Sequence, residues 1–439
     1  MPANRPVFTA SIVRTLATLA ALAILTTFAT SPAAWASGFE TGQEGVKAMG
    51  VAGAYTAIAD DPTAIYYNIG GLALLGKPVL TIGTSAYSLQ RSQYQGRSPG
   101  IGAGTTGEQE VVRTILPHAY LALPFGTKAK VGLGVYSPYA IDTDWANPAS
   151  FPGRTVSLTS QVRTVDISPG ISLAVTKKFG IGLAAIYRFS DLASSRRIQL
   201  PDPITAQPRD VASVNAGTDF NGALGFTVGV LHRPTDKFSW GLSYKSPIEI
   251  SYTGSGSLTQ LASGNAQLDQ LATAQFPFNL DLPIQSRIQF PASAALGIAV
   301  GKSKGVQVAF DLGWAQWNQF DGTGVTFVNN PSLSYVLQGT YQDAFSYRLG
   351  LRWTVHGGAQ FRFGGALEKT PQPDASLNPF FPDADRTILA LGYGLDWLDI
   401  GLQWVRFDDR LTFSNPNGLN GLYRNEAWIL AVSMTKMNR

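Results

Sequence analysis

After residue 77 the chain is dominated by strict two-residue alternation in which one face is apolar and the other is small rather than charged. Phe290, Ala292, Ala294, Leu296, Ile298 and Val300 share one face, with Pro291, Ser293, Ala295, Gly297, Ala299 and Gly301 opposite. Val306, Val308, Phe310, Leu312 and Trp314 repeat the pattern against Gln307, Ala309, Asp311, Gly313 and Ala315. So do Phe345, Tyr347, Leu349, Leu351, Trp353 and Val355 against Ala344, Ser346, Arg348, Gly350, Arg352 and Thr354. A water-soluble sandwich alternates too, but its second face carries many Lys and Glu. Here charged residues are only 14% of 439 residues while apolar ones are 45%, against about 25% charged in soluble domains. The pattern predicts strands whose apolar face meets lipid and whose small face lines a lumen.

Lipid cannot satisfy a free strand edge, so such strands must close into a barrel. No apolar run after the N-terminus is long enough for a spanning helix, and apolar content is too high for disorder. The connections give an independent count. Short links are expected at Phe125–Ala129, Lys177-Lys178, Pro234–Asp236, Lys302–Lys304, His356–Gly358 and Asp396–Asp399. Long ones are expected at Arg91–Gln109, Asp142–Gly153, Pro201–Gly217, Gly254–Pro283, Asp321–Thr340, Thr370–Asp383 and Ser414–Asn425. They alternate, long then short, which predicts an all-β membrane protein: a 14-stranded antiparallel transmembrane β-barrel over residues 77–439. Tyr87, Tyr136, Tyr139, Trp240, Tyr244, Trp314, Trp317, Trp397 and Trp404 fall near strand ends, where interfacial girdles or core packing would both use them.

The N-terminus reads as an address. Arg5 and Arg14 precede an apolar stretch from Leu16 to Phe28, and Ala34-Trp35-Ala36 has the small-x-small pattern of a cleavage site. Residues 1–36 are therefore expected to be a cleaved signal peptide. Net charge is +4, two of it from those arginines, so the mature chain is nearly balanced and nothing points to nucleic acid. The chain has no cysteine, which removes thiol chemistry, disulfides and cysteine-ligated metals. Export with this composition fits the outer membrane of a Gram-negative bacterium.

Residues 37–76 do not alternate; they mix small residues, acidic turns and short apolar clusters. Asp60-Asp61-Pro62 suits a short helix start. Low charge favours placing this segment in the lumen as an N-terminal hatch, or plug.

The segments AYTAIADDPTAIYYN (Ala54–Asn68), VGLGVYSPYAIDTDW (Val131–Trp145), FSWGLSYKSPIEISYTG (Phe238–Gly254), WAQWNQF (Trp314–Phe320) and TPQPDASLNPFFPDADR (Thr370–Arg386) occur in order. With the start Ser37-Gly38-Phe39 they make the mature chain resemble the outer-membrane long-chain fatty acid and aromatic hydrocarbon transporters of the FadL/TodX type. Two departures stand out. Asn68-Ile69-Gly70-Gly71-Leu72 replaces the family's Asn-Pro-Ala-Gly-Leu, and the chain ends Met437-Asn438-Arg439 rather than on an aromatic residue.

The resemblance implies passive transport of a hydrophobic molecule, without cofactor or metal, by binding in the lumen and lateral exit at a kink of the third strand. Gly132, Gly134 and Pro138 are placed to interrupt that strand, although Gly134 alone equally suits an ordinary bulge. Phe39, Ile65, Tyr66, Tyr67, Asn68 and Leu72 are the candidate pocket residues, or else simply pack plug on wall. Leu258, Leu261, Leu268, Leu271, Phe276 and Phe278 offer a greasy landing site on the longest loop, or pack within it.

Arg188, Arg348, Arg352 and Arg362 face the predicted lumen and could hold a carboxylate, but Asp166, Asp311 and Glu368 could pair with them instead. That choice separates fatty acids from hydrocarbons as cargo. The expected partners are the ligand, outer-membrane lipid and lipopolysaccharide, and the barrel assembly machinery, with the chain acting as a monomer. A general porin is the alternative; a barrel lipase is a remote one, since His118, His232 and His356 accompany no nucleophile motif.

Overall fold

The computed structural model describes residues 38–41, 44–89, 92–320 and 322–437. The expected signal peptide, Ser37 and the last two residues lie outside the described residues. Fourteen antiparallel staves form the wall. They are β1 (Val79–Leu89), β2 (Val112–Phe125), β3 (Ala129–Tyr136, resuming as Ala140–Asp144), β4 (Thr159–Thr176) and β5 (Phe179–Pro201). Next come β6 (Pro208–Thr218 and Asn221–Thr235), β7 (Phe238–Lys245 and Ile248–Gln260) and β8 (Leu282–Phe290 and Ser293–Gly301). β9 (Val306–Ala315 and Gly322–Phe327), β10 (Tyr335–Gln338 and Ala344–Thr354), β11 (Gln360–Glu368), β12 (Arg386–Gly394), β13 (Leu398–Phe407) and β14 (Glu426–Met437) complete it. β1 pairs with β14 from Val79↔Met437 to Leu89↔Ala427 and with β2 from Val79↔Ala122, so the sheet is closed.

Alternation sets the two surfaces. On β9, Val306, Val308 and Phe310 are exposed while Gln307, Ala309 and Asp311 are buried; on β13, Ile400 and Leu402 point out and Gln403 in. An apolar belt of this size would be unfavourable against water, at about 25 cal/mol per Å², and is the surface expected of a lipid-facing barrel.

The alternation does not run unbroken to the long-loop end. On β7, Ser239, Gly241 and Ser243 are buried, but above Ser246-Pro247 the buried set becomes Ile248, Ile250 and Tyr252. On β8, Gly297 and Ala299 face in, while above Pro291-Ala292 it is Leu282, Ile284, Ile288 and Phe290. Phe290 and Ala292 are thus inside, not on the outer face that an uninterrupted period assigns them. Proline cannot donate to the ladder, and an extra residue at such a break turns every following side chain over. The inversion follows the solvent. Above it the outer face carries the exposed Glu249–Arg287 pair, so the headgroup zone and then water replace hydrocarbon outside and the apolar face turns inward.

One further expectation is corrected and one open alternative is decided. The outer hairpins continue pairing well beyond the membrane level, so Pro208–Thr218 and the part of Ile248–Gln260 beyond Gly254 are strands rather than loop. Paired backbone that faces water on one side lacks the lipid-type pattern and reads as loop. Tyr87, Tyr136, Tyr139 and Trp317 are buried inside the bore rather than standing in a girdle, whereas Trp397 is exposed. Their parity, or in the case of Trp317 a 3-10 turn (Trp317–Gln319), aims them inward. Gln93–Gly96, Thr106–Glu108, Arg410–Thr412 and Gly421–Arg424 form a separate four-stranded sheet over the long-loop end.

Candidate functional site

The segment from Gly38 to Leu75 lies within the wall, with helices α1 (Val46–Met49) and α2 (Ala64–Tyr67) and a 3-10 turn (Ile69–Leu74) almost wholly buried. Its polar atoms are tied to wall side chains. Asp311 Oδ2 accepts from the Tyr55 and Thr56 amides at 3.0 and 2.8 Å. Gln403 Nε2 donates to the Met49 carbonyl at 2.7 Å. Arg352 bonds Asp60 and Gln307, each at 2.6 Å. Burial opposes ionisation of Asp60, but the Arg352 guanidinium overrides it and holds the carboxyl below its usual range. Asn68 is a structural pin, its Nδ2 donating to the carbonyls of Thr56 and Val230, both at 2.9 Å. Ile69, at the place of the usual proline, is fully buried and fills the space a side chain at Gly170 of β4 would need.

The third stave parts from β2 near Gly134 and Pro138 while remaining paired with β4, through Tyr136↔Asp166 and again from Ala140↔Arg163. From Tyr136 to Thr143 every residue is buried, so both faces of β3 are covered there. The β2–β3 ladder stops at Ala119↔Val135, and the chain just ahead of β2 meets β3 and its continuation again at Gln109↔Trp145, flanked by the Glu110 N–H to Asp144 carbonyl and Ala146 N–H to Glu108 carbonyl bonds, both 2.8 Å. In between, the inner segment takes the vacated edge. Thr41 N donates to Pro138 O at 2.8 Å and Ala140 N to Phe39 O at 3.0 Å.

Gly132 packs closely under the inner segment. A Cβ there would lie 2.7 Å from Ile65 Cδ1 and 2.8 Å from Leu72 Cδ2. Gly134 sits beneath Tyr120 and Tyr136. The sequence-predicted groups Gly132, Gly134 and Pro138 and Phe39, Ile65 and Leu72 are therefore brought together at one seam. Glu44 spans that seam, accepting from the Tyr120 hydroxyl of β2 at 2.9 Å and the Ser137 amide of β3 at 3.2 Å. Burial pushes its carboxyl up to about 8. Among the described residues, Thr114 Oγ1, His118 Nε2 and Ser137 Oγ are buried here without a partner.

Above the seam lies an apolar compartment. Phe39 is its hub, with ring centroids of Tyr139, Phe290, Trp317, Phe320 and Phe381 at 4.9 to 5.9 Å. Val162, Ile186, Ile248, Ile250 and Ile288 belong to the same cluster. Gly38 turns the chain into it with φ of 52°, and a Cβ there would collide with the Trp317 ring. Next to Tyr66 and Tyr67 a cleft of ≈ 70 Å³ is lined by Glu40, Ser243, Lys245, Trp314 and Arg348 as well.

The four arginines that could meet a carboxylate are each joined to an internal one. Arg188 pairs with Asp166 at 2.7 Å, Arg348 with Glu368 at 2.8 Å, Arg352 with Asp60 at 2.6 Å and Arg362 with Asp399 at 2.7 Å. Lys245 differs. Its Nζ stands 3.2 Å from the centroid of the Tyr66 ring and, among the described residues, forms no ion pair. The sequence reading passes over it, although its shared parity with Ser239, Gly241 and Ser243 was the available signal. Glu44 and Trp317 are missed as well, because neither position alternates with a strand.

A family model described as outer membrane protein transport protein (OMPP1/FadL/TodX) matches residues 27–437. The long-chain fatty acid transport protein of Escherichia coli K12 is 23% identical over 416 residues, covering 86% of this chain and 88% of that one. Among solved structures, a Pseudomonas aeruginosa FadL homologue has a TM-score of 0.77 at 19% identity, covering 91% of this chain and 99% of its own. The Ralstonia pickettii toluene transporter TbuX gives 0.65 at 16%, covering 92% and 99%. These likenesses agree with the barrel seen here and with an outer-membrane location in a Gram-negative bacterium. By the match over nearly its whole length, the chain belongs to the outer membrane protein transport protein family (OMPP1/FadL/TodX).

Proposed function

We propose that the chain passes hydrophobic molecules across the outer membrane by binding them in the compartment around Phe39 and releasing them sideways into lipid between β2 and β3. Residues 37–76 act as the hatch that closes the axial route. The observation that carries this reading is the interrupted β2–β3 ladder, whose open edge is held by residues 39–41 of the hatch rather than by another stave. A segment that occupies an opening by a few backbone bonds and one ring can leave it; a ladder strand cannot do so cheaply. Lateral release also suits the cargo, since each methylene delivered to water instead of lipid costs about 0.8 kcal/mol. The cleft of ≈ 70 Å³ is far below the roughly 300–1,000 Å³ of small-molecule pockets. Cargo therefore enters by displacing Phe39 and its ring neighbours.

Within this class the site favours a long-chain carboxylate. Lys245 supplies a cation at the polar end of an apolar compartment, and the arginines nearby are already engaged. The E. coli relative is named for long-chain fatty acids and the R. pickettii one for toluene, which frames the choice. The process is binding and diffusion, with no chemical step on the cargo. Uptake of labelled oleate and labelled toluene into cells with and without the protein tests this. Faster oleate uptake with the protein is expected; equal uptake of both compounds in both strains would overturn the assignment.

A further inference from the structure

A second interruption of the wall lies between β6 and β7. Below it Thr227 faces Lys245, and above it Thr218 faces Gly254, so the two strands contribute equal lengths of chain between these pairs. Yet the strands form no ladder from Phe220 to Gly225 on one side and Pro247 to Tyr252 on the other. The stretch is bounded by the Ser246 N–H to Phe226 carbonyl bond at 2.9 Å and the Asp219 N–H to Thr253 carbonyl bond at 3.1 Å.

The cause is a difference of phase. β7 inverts its faces at Ser246-Pro247, whereas β6 inverts only at Asp219-Phe220, above which Val214 and Ala216 are buried. Between the two levels the residues that stand opposite each other point to opposite sides of the wall, as with exposed Leu224 against buried Ile248. Pairing cannot form in that window.

What flanks the slot is small or apolar. Gly222, Ala223 and Gly225 line the β6 edge, and Ile248 occupies the space that a side chain at Gly225 would need, 2.5 Å from its Cβ position. Inside, Ile248, Ile250 and Tyr252 belong to the Phe39 cluster, and Ala223 packs against it. Outside, Leu224 is 71% exposed beside exposed Phe220 and Phe226. Charges mark the level as the headgroup zone. Arg163 lies over the Phe220 ring at 5.5 Å, and Glu249 pairs with Arg287. Unpaired backbone is tolerated at that height because water and headgroups reach it. In the comparable break between β8 and β9 the chain forms the 3-10 turn Trp317–Gln319, whose Trp317 is fully buried against Phe39.

We propose that this slot is a side entrance, through which an alkyl chain already dissolved in the outer leaflet threads between β6 and β7 into the apolar compartment, its headgroup staying level with Arg163. This rests on the reading of that compartment as a hydrophobe-binding site, but its test is separate. The full-length protein is placed in nanodiscs of phosphatidylcholine carrying a diazirine on one palmitoyl chain, and labelled residues are located by mass spectrometry after illumination. Lipid-facing Leu224 and Phe226 are expected to be labelled, and inward-facing Ile248 and Ile250 with them. Ala223→Trp, which fills the slot from its small edge, is expected to abolish labelling at Ile248 and Ile250 and to leave Leu224 unchanged. Labelling confined to outward residues in the unaltered protein, with Leu224 positive, would overturn the entrance. Failure of the transport reading shows itself elsewhere, as unchanged oleate uptake in the cell assay.

Discussion

The Glu44 carboxyl group accepts the backbone N–H of Ser137 at 3.2 Å, joining the inner segment to the point where β3 parts from β2. Its other oxygen takes the Tyr120 hydroxyl of β2 at 2.9 Å. One side chain of the inner segment therefore joins the two staves at the level where their pairing ends.

This stitch is pH-dependent. Burial raises Glu44 from 4.5 to about 8, so the folded state holds a proton that the unfolded chain releases. The docked segment is most stable at low pH, and its stability declines as pH rises from the unfolded value through the folded one. Hydrogen exchange at the amides of Thr41 and Ala140 is expected to quicken between about pH 4.5 and pH 8, beyond the intrinsic base catalysis, and to show no further excess above that range. Glu44→Gln removes that excess. An excess that persists unchanged in Glu44→Gln assigns the effect to another group.

Phe39→Ala takes the hub out of the ring cluster. Removing a buried phenylalanine typically costs about 3–5 kcal/mol, and here the loss falls on the docking of residues 38–41. Limited proteolysis is expected to cut this segment in the variant and to spare it in the parent protein, while the β-strand circular dichroism stays the same. A variant as resistant as the parent would show that backbone pairing at Pro138 and Ala140 suffices.

Lys245→Met removes the cation and keeps the apolar stem. A charge-assisted hydrogen bond contributes about 1.5–3 kcal/mol, so oleate binding by calorimetry is expected to weaken roughly tenfold to a hundredfold. Toluene uptake should not change. Equal losses for both would assign Lys245 to holding Tyr66 in place rather than to cargo recognition.

The barrel was legible in the chain because lipid imposes a simple rule on the outer face, and Val306, Val308, Phe310, Leu312 and Trp314 obey it without exception. The break in β3 between Tyr136 and Ala140 was legible from Gly132, Gly134 and Pro138, and the lack of regular strand in the described part of residues 37–76 from the absence of alternation there. What alternation alone does not reveal is where the rule reverses. Phe290 has the parity of Leu296 but lies inside, because Pro291-Ala292 inserts a break between them. The reversal is a response to the change from lipid to water outside, a height along the wall that no local window contains. Pairing of lumenal charges is equally non-local. Arg352 and Asp60 meet across 292 positions of chain, so nothing near either residue announces the contact.

Lateral release between β2 and β3 is tested most directly by closing that seam. The chain has no cysteine, so Thr114→Cys and Ala140→Cys, which stand opposite each other when the β2–β3 register is extended across the gap, can be joined cleanly by a short reducible bis-thiol crosslinker in cells. The account predicts that oleate uptake stops on crosslinking and returns on reduction. Uptake that continues at the unlinked rate while mass spectrometry confirms the bridge would contradict it and send the cargo down the axis of the barrel.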